Sequence, residues 1–267
     1  MNLQQLINLY SKTHNQNLKS IQQLRTFDSC INSIIAFFSA SIDIKKAFTA
    51  EKVSNYIIFL QKSGLKNNTI RLRFSVLKNI ILFAYHNNLI LSVPFVKPPK
   101  KEIPEKTFIS PKIILQMLQY CKQHNEPELR LIILIGFYTG MRIDNILSIK
   151  PTHIDNNYLR VWDNKTDNPY SIPIKRRLSH ILSAEDFKPF TINYQQARYK
   201  FEKMKKALAL DNKITLHTLR HTFCSRLVQK GINIRIIQQL ANHKSITTTA
   251  MYVHLRNEDL EKAISVL

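Results

Sequence analysis

Five of the chain's ten prolines (Pro94, Pro98, Pro99, Pro104 and Pro111) fall in or directly after one stretch, SVPFVKPPKKEIPEKTFIS, residues 92–110. Proline fixes φ and removes a backbone donor, so neither a helix nor an inner strand runs through such a segment. The 267 residues therefore divide into two folded bodies, residues 1–91 and 108–267, joined by a basic, extended linker over 92–107. Lys97, Lys100, Lys101 and Lys106 run along that linker.

Both bodies read as mainly helical. In residues 70–85, Ile70, Phe74, Leu77 and Ile81 recur at helical spacing and form one buried stripe. Arg71 and Lys78 lie on other faces, and Asn68-Thr69 offers an N-cap. Similar patterns over 3–13, 17–39 and 50–63 predict a small helical bundle of four or five helices for residues 1–91. In the second body, Ser110-Pro111 opens a helix over 110–123, and PELRLIILIGFY, residues 127–138, forms an apolar helix ending at Thr139-Gly140. YLRVW (158–162) and YSIPI (170–174), separated by the turn-forming DNKTDNP, predict a β-hairpin. Helices resume over 194–208, 215–229, 233–241 and 246–264. The expected fold is a helical bundle followed by a mostly α domain with one small antiparallel β element.

Charge narrows the partners. Lys and Arg total 39 against 18 Asp and Glu, a formal net charge of +21. Residues 1–91 carry 11 basic and three acidic residues, and residues 108–267 carry 24 and 13. An excess of this size repels itself in a compact state unless a polyanion neutralises it, and its spread over both bodies favours nucleic acid over a membrane surface. Arg71, Arg73, Lys78, Lys97, Lys100 and Lys101 are candidate phosphate contacts. No apolar run reaches the roughly 18 residues that span a bilayer. The first residues show no signal-peptide pattern. Cys30, Cys121 and Cys224 are odd in number and far apart, which predicts reduced thiols and a cytoplasmic, nucleoid-associated protein.

Several residues carry chemistry only in combination. His217 and Arg220 stand three apart on one predicted helix, an imidazole beside a guanidinium, which suits a phosphoryl group. His217 and His221 also have the i, i+4 spacing of a zinc helix, but no glutamate stands between them and no third ligand is at hand. In TGMRIDNIL, a turn at Thr139-Gly140 leads into a helix with Arg142 in its first turn, where the helix dipole adds to the pull on an anion. Lys165 occupies the hairpin turn, and a turn lysine can reach a leaving oxygen as a proton donor. ANHKSITTTAMYVHL places His243 nine residues before Tyr252, and a helix capped by Ser245 would carry that tyrosine about two turns in.

The ordered set Arg142, Lys165, His217-x-x-Arg220, His243 and Tyr252 resembles the active-site signature of the tyrosine recombinase, or phage integrase, family. The match includes the TGxR start, Pro173 eight residues after Lys165, HxLRHTF and the His-to-Tyr spacing. It covers all of 108–267. It extends less specifically to 1–91, whose NNTIRLRFSVLKNIILFAYHNNLILSVP resembles the last helix and exit of the family's SAM-like core-binding domain. The chain's size resembles the Xer or simple-integrase type. Two positions depart from the family pattern: Asn145 stands where Glu is frequent, and Ala241-Asn242 stands where Leu-Gly is usual. Neither removes a catalytic group.

The resemblance implies transesterification. Tyr252 would attack a scissile phosphate to give a 3′-phosphotyrosyl link and a free 5′-hydroxyl. Arg142 and Arg220 would clamp the non-bridging oxygens and His243 would hydrogen bond to one of them. Lys165 would protonate the 5′-oxygen, and His217 would accept or relay the tyrosine proton. No cofactor and no metal is required. The implied partner is duplex DNA at specific sites, enclosed by a C-shaped clamp and worked on by a homotetramer. The amphipathic tail VHLRNEDLEKAISVL would exchange between subunits or pack on its own domain, and an accessory directionality or activating protein is a further implied partner. Two rivals remain at this level. Residues 226–255 also fit a non-catalytic helix-turn-helix regulator, and a type IB topoisomerase shares the chemistry.

Overall fold

The computed structural model describes residues 1–14, 21–102, 107–155, 157–163, 168–183 and 187–252. The chain separates into two compact units, Met1–Pro104 and Glu105–Leu267. Among the described residues no helix is long and apolar enough to cross a membrane. None of the three cysteines forms a disulfide, and all are buried.

The first unit is a bundle of α1 (Leu3–His14), α2 (Ile21–Phe38), the one-turn α3 (Ile44–Ala47), α4 (Ala50–Lys62) and α5 (Asn67–His86). Its core takes one stripe from each long helix, with Leu6, Ile34, Tyr56, Leu60, Ile70 and Leu77 wholly enclosed. On α5 the expected stripe of Ile70, Phe74, Leu77 and Ile81 is buried, joined by Ile80 and Ala84. The start of this helix differs from expectation. Its N-cap is Lys66, which makes no side-chain cap, and Asn68 and Thr69 lie inside the first turn. The Asn67 amide instead donates to the carboxylate of Glu102 at 3.2 Å, and the Asn68 side chain donates to the Glu102 carbonyl at 2.9 Å. A remote carboxylate thus answers the positive end of the helix dipole.

That contact changes the picture of the linker's first half. Val93 and Val96 pack against the bundle core, and the Arg71 guanidinium donates to the Pro99 carbonyl at 2.7 Å. Residues 92–102 are extended, as proline requires, yet they lie strapped along α5 and are not a free spacer.

The second unit comprises α6 (Pro111–Gln123), α7 (Pro127–Thr139), α8 (Ile143–Leu147), a 3-10 turn over Pro151–His153, and strands β1 (Ile154–Asp155), β2 (Tyr158–Asp163) and β3 (Asn168–Pro173). Helices α9 (Arg176–Ser183), α10 (Tyr194–Ala207), α11 (Leu216–Gln229), α12 (Ile234–Leu240) and α13 (Ile246–Ala250) follow. The sheet is antiparallel in the order β1-β2-β3, with Leu159 opposite Ile172, Val161 opposite Tyr170 and Asp163 opposite Asn168. The hairpin was legible, whereas the two-residue β1 and the charged-faced α9 were not. Alternation along β2 turns Leu159, Val161 and Asp163 inward. A carboxylate therefore occupies a core position and requires a partner there.

The apolar α7 packs against α11 where Gly136 lets the Leu219 side chain approach; a Cβ at residue 136 would stand 3.1 Å from it. Gly140 then ends α7 in the left-handed region at φ 64°. A Cβ there would lie 2.3 Å from the Phe223 ring, so glycine is demanded by conformation and by space at once.

Leu77, enclosed in the first unit, offers a direct test of that core. Leu77→Ala is expected to lower the stability of the N-terminal unit by about 2–5 kcal/mol. The change is read as a shift in the denaturant midpoint of the full-length chain.

Candidate active site

The turn at Gly140 organises the site. Arg142 is the N-cap residue of α8, just past the turn, and Arg220 reaches it from α11. The Arg220 side chain is almost wholly enclosed, at 2% exposure, and its Nη1 donates to the Gly140 carbonyl at 2.8 Å. Its Nη2 is buried with no hydrogen-bond partner among the described residues. Burial first, then the positive charge of Arg142, pulls the Arg220 guanidinium below its ordinary pKa.

Arg142 is held from two directions. Its Nη1 donates to Asp163 Oδ2 at 2.6 Å, and its Nη2 donates to the Asn242 carbonyl at 3.0 Å. Asp163 is fully buried at the inward end of β2. Asn242 completes a triangle, its side-chain amide donating to the same Asp163 oxygen at 2.7 Å. Its backbone is left-handed at φ 47°, a conformation that asparagine tolerates better than most residues. The position where glycine is usual in the family resemblance thus carries a side chain that serves the Arg142 support. At the other departure, Asn145 is buried on α8.

The hydroxyl of Tyr170 on β3, close enough to feel the charge of both arginines, donates to the Leu240 carbonyl ahead of the Asn242 turn. Burial raises its pKa, against the pull of Arg220 and Arg142. His243 is buried beyond that turn, with Nδ1 2.8 Å from the Thr249 hydroxyl.

Tyr252 is 4% exposed and belongs to a small cluster with Phe223, Cys224, Ile237 and Ala241. Contrary to expectation it does not ride two turns into a helix. Ser245 does cap α13, accepting from the Thr247 amide at 3.3 Å, but α13 ends at Ala250 and Tyr252 follows in a turn. The His243 ring lies parallel to it, centroids 6.3 Å apart. Its hydroxyl meets His221 Nδ1 at 2.5 Å. Burial pushes the phenol well above the usual tyrosine range; Cys224 adds to the rise and Arg220 opposes it.

Arg142, Arg220, His243 and Tyr252 are therefore tied into one hydrogen-bonded and packed neighbourhood. His217 is exposed one turn before His221, the two rings edge to face at 4.6 Å between centroids. Lys165 and the tail after Tyr252 lie outside the described residues. In the first unit, Arg71 and Arg73 are half-buried, Arg73 donating to the Ser33 hydroxyl at 3.0 Å, while Lys78, Lys97, Lys100 and Lys101 are exposed. Three contributors were missed in the sequence: Asp163, the side chain of Asn242, and His221. Asp163 carried a signal as an acidic residue at the inward phase of an alternating strand, and His221 stood in HxLRHTF at i, i+4 from His217, read there against a zinc helix and given no role at Tyr252.

Residues 107–259 match the phage integrase family, and residues 3–103 match the phage integrase SAM-like domain. Among curated proteins, the tyrosine recombinase XerC of Staphylococcus epidermidis is 27% identical over 239 residues, 81% of each chain. Among solved structures, the Tn1549 transposon integrase bound to transposon right-end DNA superposes with a TM-score of 0.84 at 17% identity, covering 99% of both chains. A lambda integrase tetramer on a Holliday junction gives 0.78 at 20% identity, over 95% of this chain and 78% of that one. The chain belongs to the phage integrase family, and its class is that of the tyrosine recombinases, enzymes that cut and rejoin DNA strands.

Two substitutions probe the scaffold. Asp163→Ala leaves Arg142 without its buried counter-charge and is expected to cost about 3 kcal/mol in the catalytic unit, read from denaturant unfolding. Gly140→Ala is expected to cost more than the ~1 kcal/mol of a strained left-handed alanine alone, because Phe223 must also move. An unchanged midpoint for either would show that the contact does not bear on stability.

Proposed function

We propose that Tyr252 is the nucleophile of a site-specific strand exchange, attacking a DNA phosphate to form a 3′-phosphotyrosyl link and release a 5′-hydroxyl. The observation that carries this reading is the buried, unpartnered Nη2 of Arg220 beside Arg142. A buried donor without an acceptor is costly, and two guanidinium groups answered by the single carboxylate of Asp163 favour a bound anion. A phosphate supplies both acceptor and charge.

In this reading Arg142 and Arg220 clamp the non-bridging oxygens, and His243 hydrogen bonds to one of them. Lys165, from the turn between β2 and β3, protonates the leaving 5′-oxygen, while His217 accepts or relays the tyrosine proton. One ester replaces another, so no nucleotide cofactor is consumed. The bundle of residues 1–91 and the catalytic domain of residues 108–267 both contact DNA, linked by residues 92–107. The exposed Lys78, Lys97, Lys100 and Lys101 are available to phosphates, with Arg71 and Arg73 supporting the same surface. The net charge of +21 supports this partner. The proposed assembly is four protomers acting on two sites, in the cytoplasm and on the nucleoid; the lambda integrase tetramer on a Holliday junction supports the number of protomers. Exchange of the C-terminal tail between protomers and a directionality or activating protein belong to the same proposal.

A nicked suicide duplex carrying the recombination site tests it. The DNA flanking the encoding gene is the source of candidate sites. Wild-type protein is expected to accumulate a covalent adduct that Tyr252→Phe abolishes. Arg142→Ala and Arg220→Ala are each expected to slow adduct formation by roughly 10²-fold or more. Tight site binding with no adduct under any condition would instead indicate a regulator, and relaxation of plasmid lacking the site would indicate a topoisomerase.

A further inference from the structure

The sheet of the catalytic unit has an outer face to which no role has been given. Alternation along β2 sends Leu159, Val161 and Asp163 inward and Tyr158, Arg160 and Trp162 outward. Tyr158 is 48% exposed and Trp162, the chain's single tryptophan, is 53% exposed. Neither ring belongs to the apolar core beneath the sheet. We propose that this face is a stacking platform for the unpaired bases of single-stranded DNA. Trp162 and Tyr158 each take a base, and Arg160 meets the phosphate backbone between them.

The geometry suits that ligand. The two rings stand four residues apart on one strand, about 13 Å at a rise of ~3.3 Å per residue, which leaves room for a separate base on each. Across the ladder, Pro169 lies opposite Trp162, Ser171 opposite Arg160 and Pro173 opposite Tyr158. These are short side chains that do not overtop the rings. Beside Trp162 a cavity of about 440 Å³ is bordered by His153, Arg160, Pro169 and Ser171, within the size range of sites that hold small ring ligands. Burial, then the charge of Lys150, holds the His153 imidazole below its ordinary pKa, so a third, uncharged ring edges this cavity at neutral pH.

Charge selects the occupant. Among the described residues from 150 to 177, Lys150, Arg160, Lys175, Arg176 and Arg177 are exposed and basic, against one exposed acid, Asp155. Asp155 pairs with Arg160 at 2.8 Å, but the two side chains are 50% and 64% exposed. A pair so open to water contributes little and yields readily to a phosphate. A second copy of the chain would instead bring another +21 against this face. Duplex DNA hides its base faces within its own stack, whereas a single strand offers them, and every base has one. Preference for unpaired DNA without a fixed sequence follows. Strand exchange as proposed above supplies such a ligand, because the strand released with a 5′-hydroxyl must unpair before it joins another duplex. That use rests on the exchange; the binding itself does not.

The experiment is a titration of the full-length protein with a short oligothymidine, followed by tryptophan fluorescence. With one tryptophan in the chain, the signal reports from this face alone. Oligothymidine is expected to quench it, and an abasic oligomer of equal length, which keeps the phosphates and lacks the bases, is not. Binding is measured in parallel by anisotropy of a labelled oligothymidine. Trp162→Ala and Tyr158→Ala should each weaken it roughly tenfold or more. Trp162→Phe, which keeps a ring, should retain most of the affinity. All three variants should hold the wild-type denaturant midpoint and bind duplex DNA as wild type does.

Oligothymidine binding without quenching would overturn the proposal, as would equal affinity for the abasic oligomer. Equal losses in Trp162→Phe and Trp162→Ala would show that the ring is not the contact. If tryptophan emission shifts with protein concentration alone, and Trp162→Ala abolishes an oligomer seen by sedimentation, the face belongs to a second copy and the platform is refuted. Tyr252→Phe should be quenched as wild type is. Loss of the covalent adduct and loss of the platform are therefore read separately.

Discussion

Two guanidinium groups in a poorly solvated pocket are the constraint around which the catalytic unit is built. Arg142 and Arg220 repel each other, and burial sharpens the cost. Asp163 answers one of them, the Gly140 carbonyl takes a donor from the other, and one donor of Arg220 is left over. Much of the surrounding structure can be understood as holding this arrangement still. Gly136 and Gly140 let α7 close on α11. The alternation of β2 delivers Asp163 to the interior, and the left-handed turn at Asn242 returns a carbonyl and an amide to the same triangle. The residual positive charge is what the proposed phosphate would neutralise.

Tyr252, the proposed nucleophile, is set into that frame by packing. Tyr252 sits in an apolar cluster whose burial raises its pKa, and imidazoles from two other elements stand against it: His221 from α11 and His243 from the turn before α13. Adjacent residues of one helix thus face different neighbours: Arg220 donates to the Gly140 carbonyl, and His221 meets the Tyr252 hydroxyl.

Much of this was legible from residue order. The proline-rich stretch, the amphipathic stripe of α5, the capped start of α6, the glycine stop of α7 and the β2–β3 hairpin all rest on local rules. The start of α5 was misread because its cap comes from Glu102, 35 residues away. The helix expected to carry Tyr252 was too long: the periodicity continues beyond Ala250, while the described chain turns there to bring the ring into a core made by α11 and α12. The short β1 and α9 were missed because two residues, or a charged face, give too little pattern.

The sequence alone determined the family, the basic character and the order in which the candidate reactive groups stand, because spacing along a helix and turn chemistry are properties of neighbours in the chain. Only tertiary structure decided that Asp163 supports Arg142, that Asn242 joins that support, and that His221 is the imidazole at the Tyr252 hydroxyl. Arg142 and Asn242 are 100 residues apart, and His221 and Tyr252 are 31 apart. Contacts over such separations are fixed by how helices and strands pack, where one turn along α11 separates His221, at the Tyr252 hydroxyl, from the exposed His217.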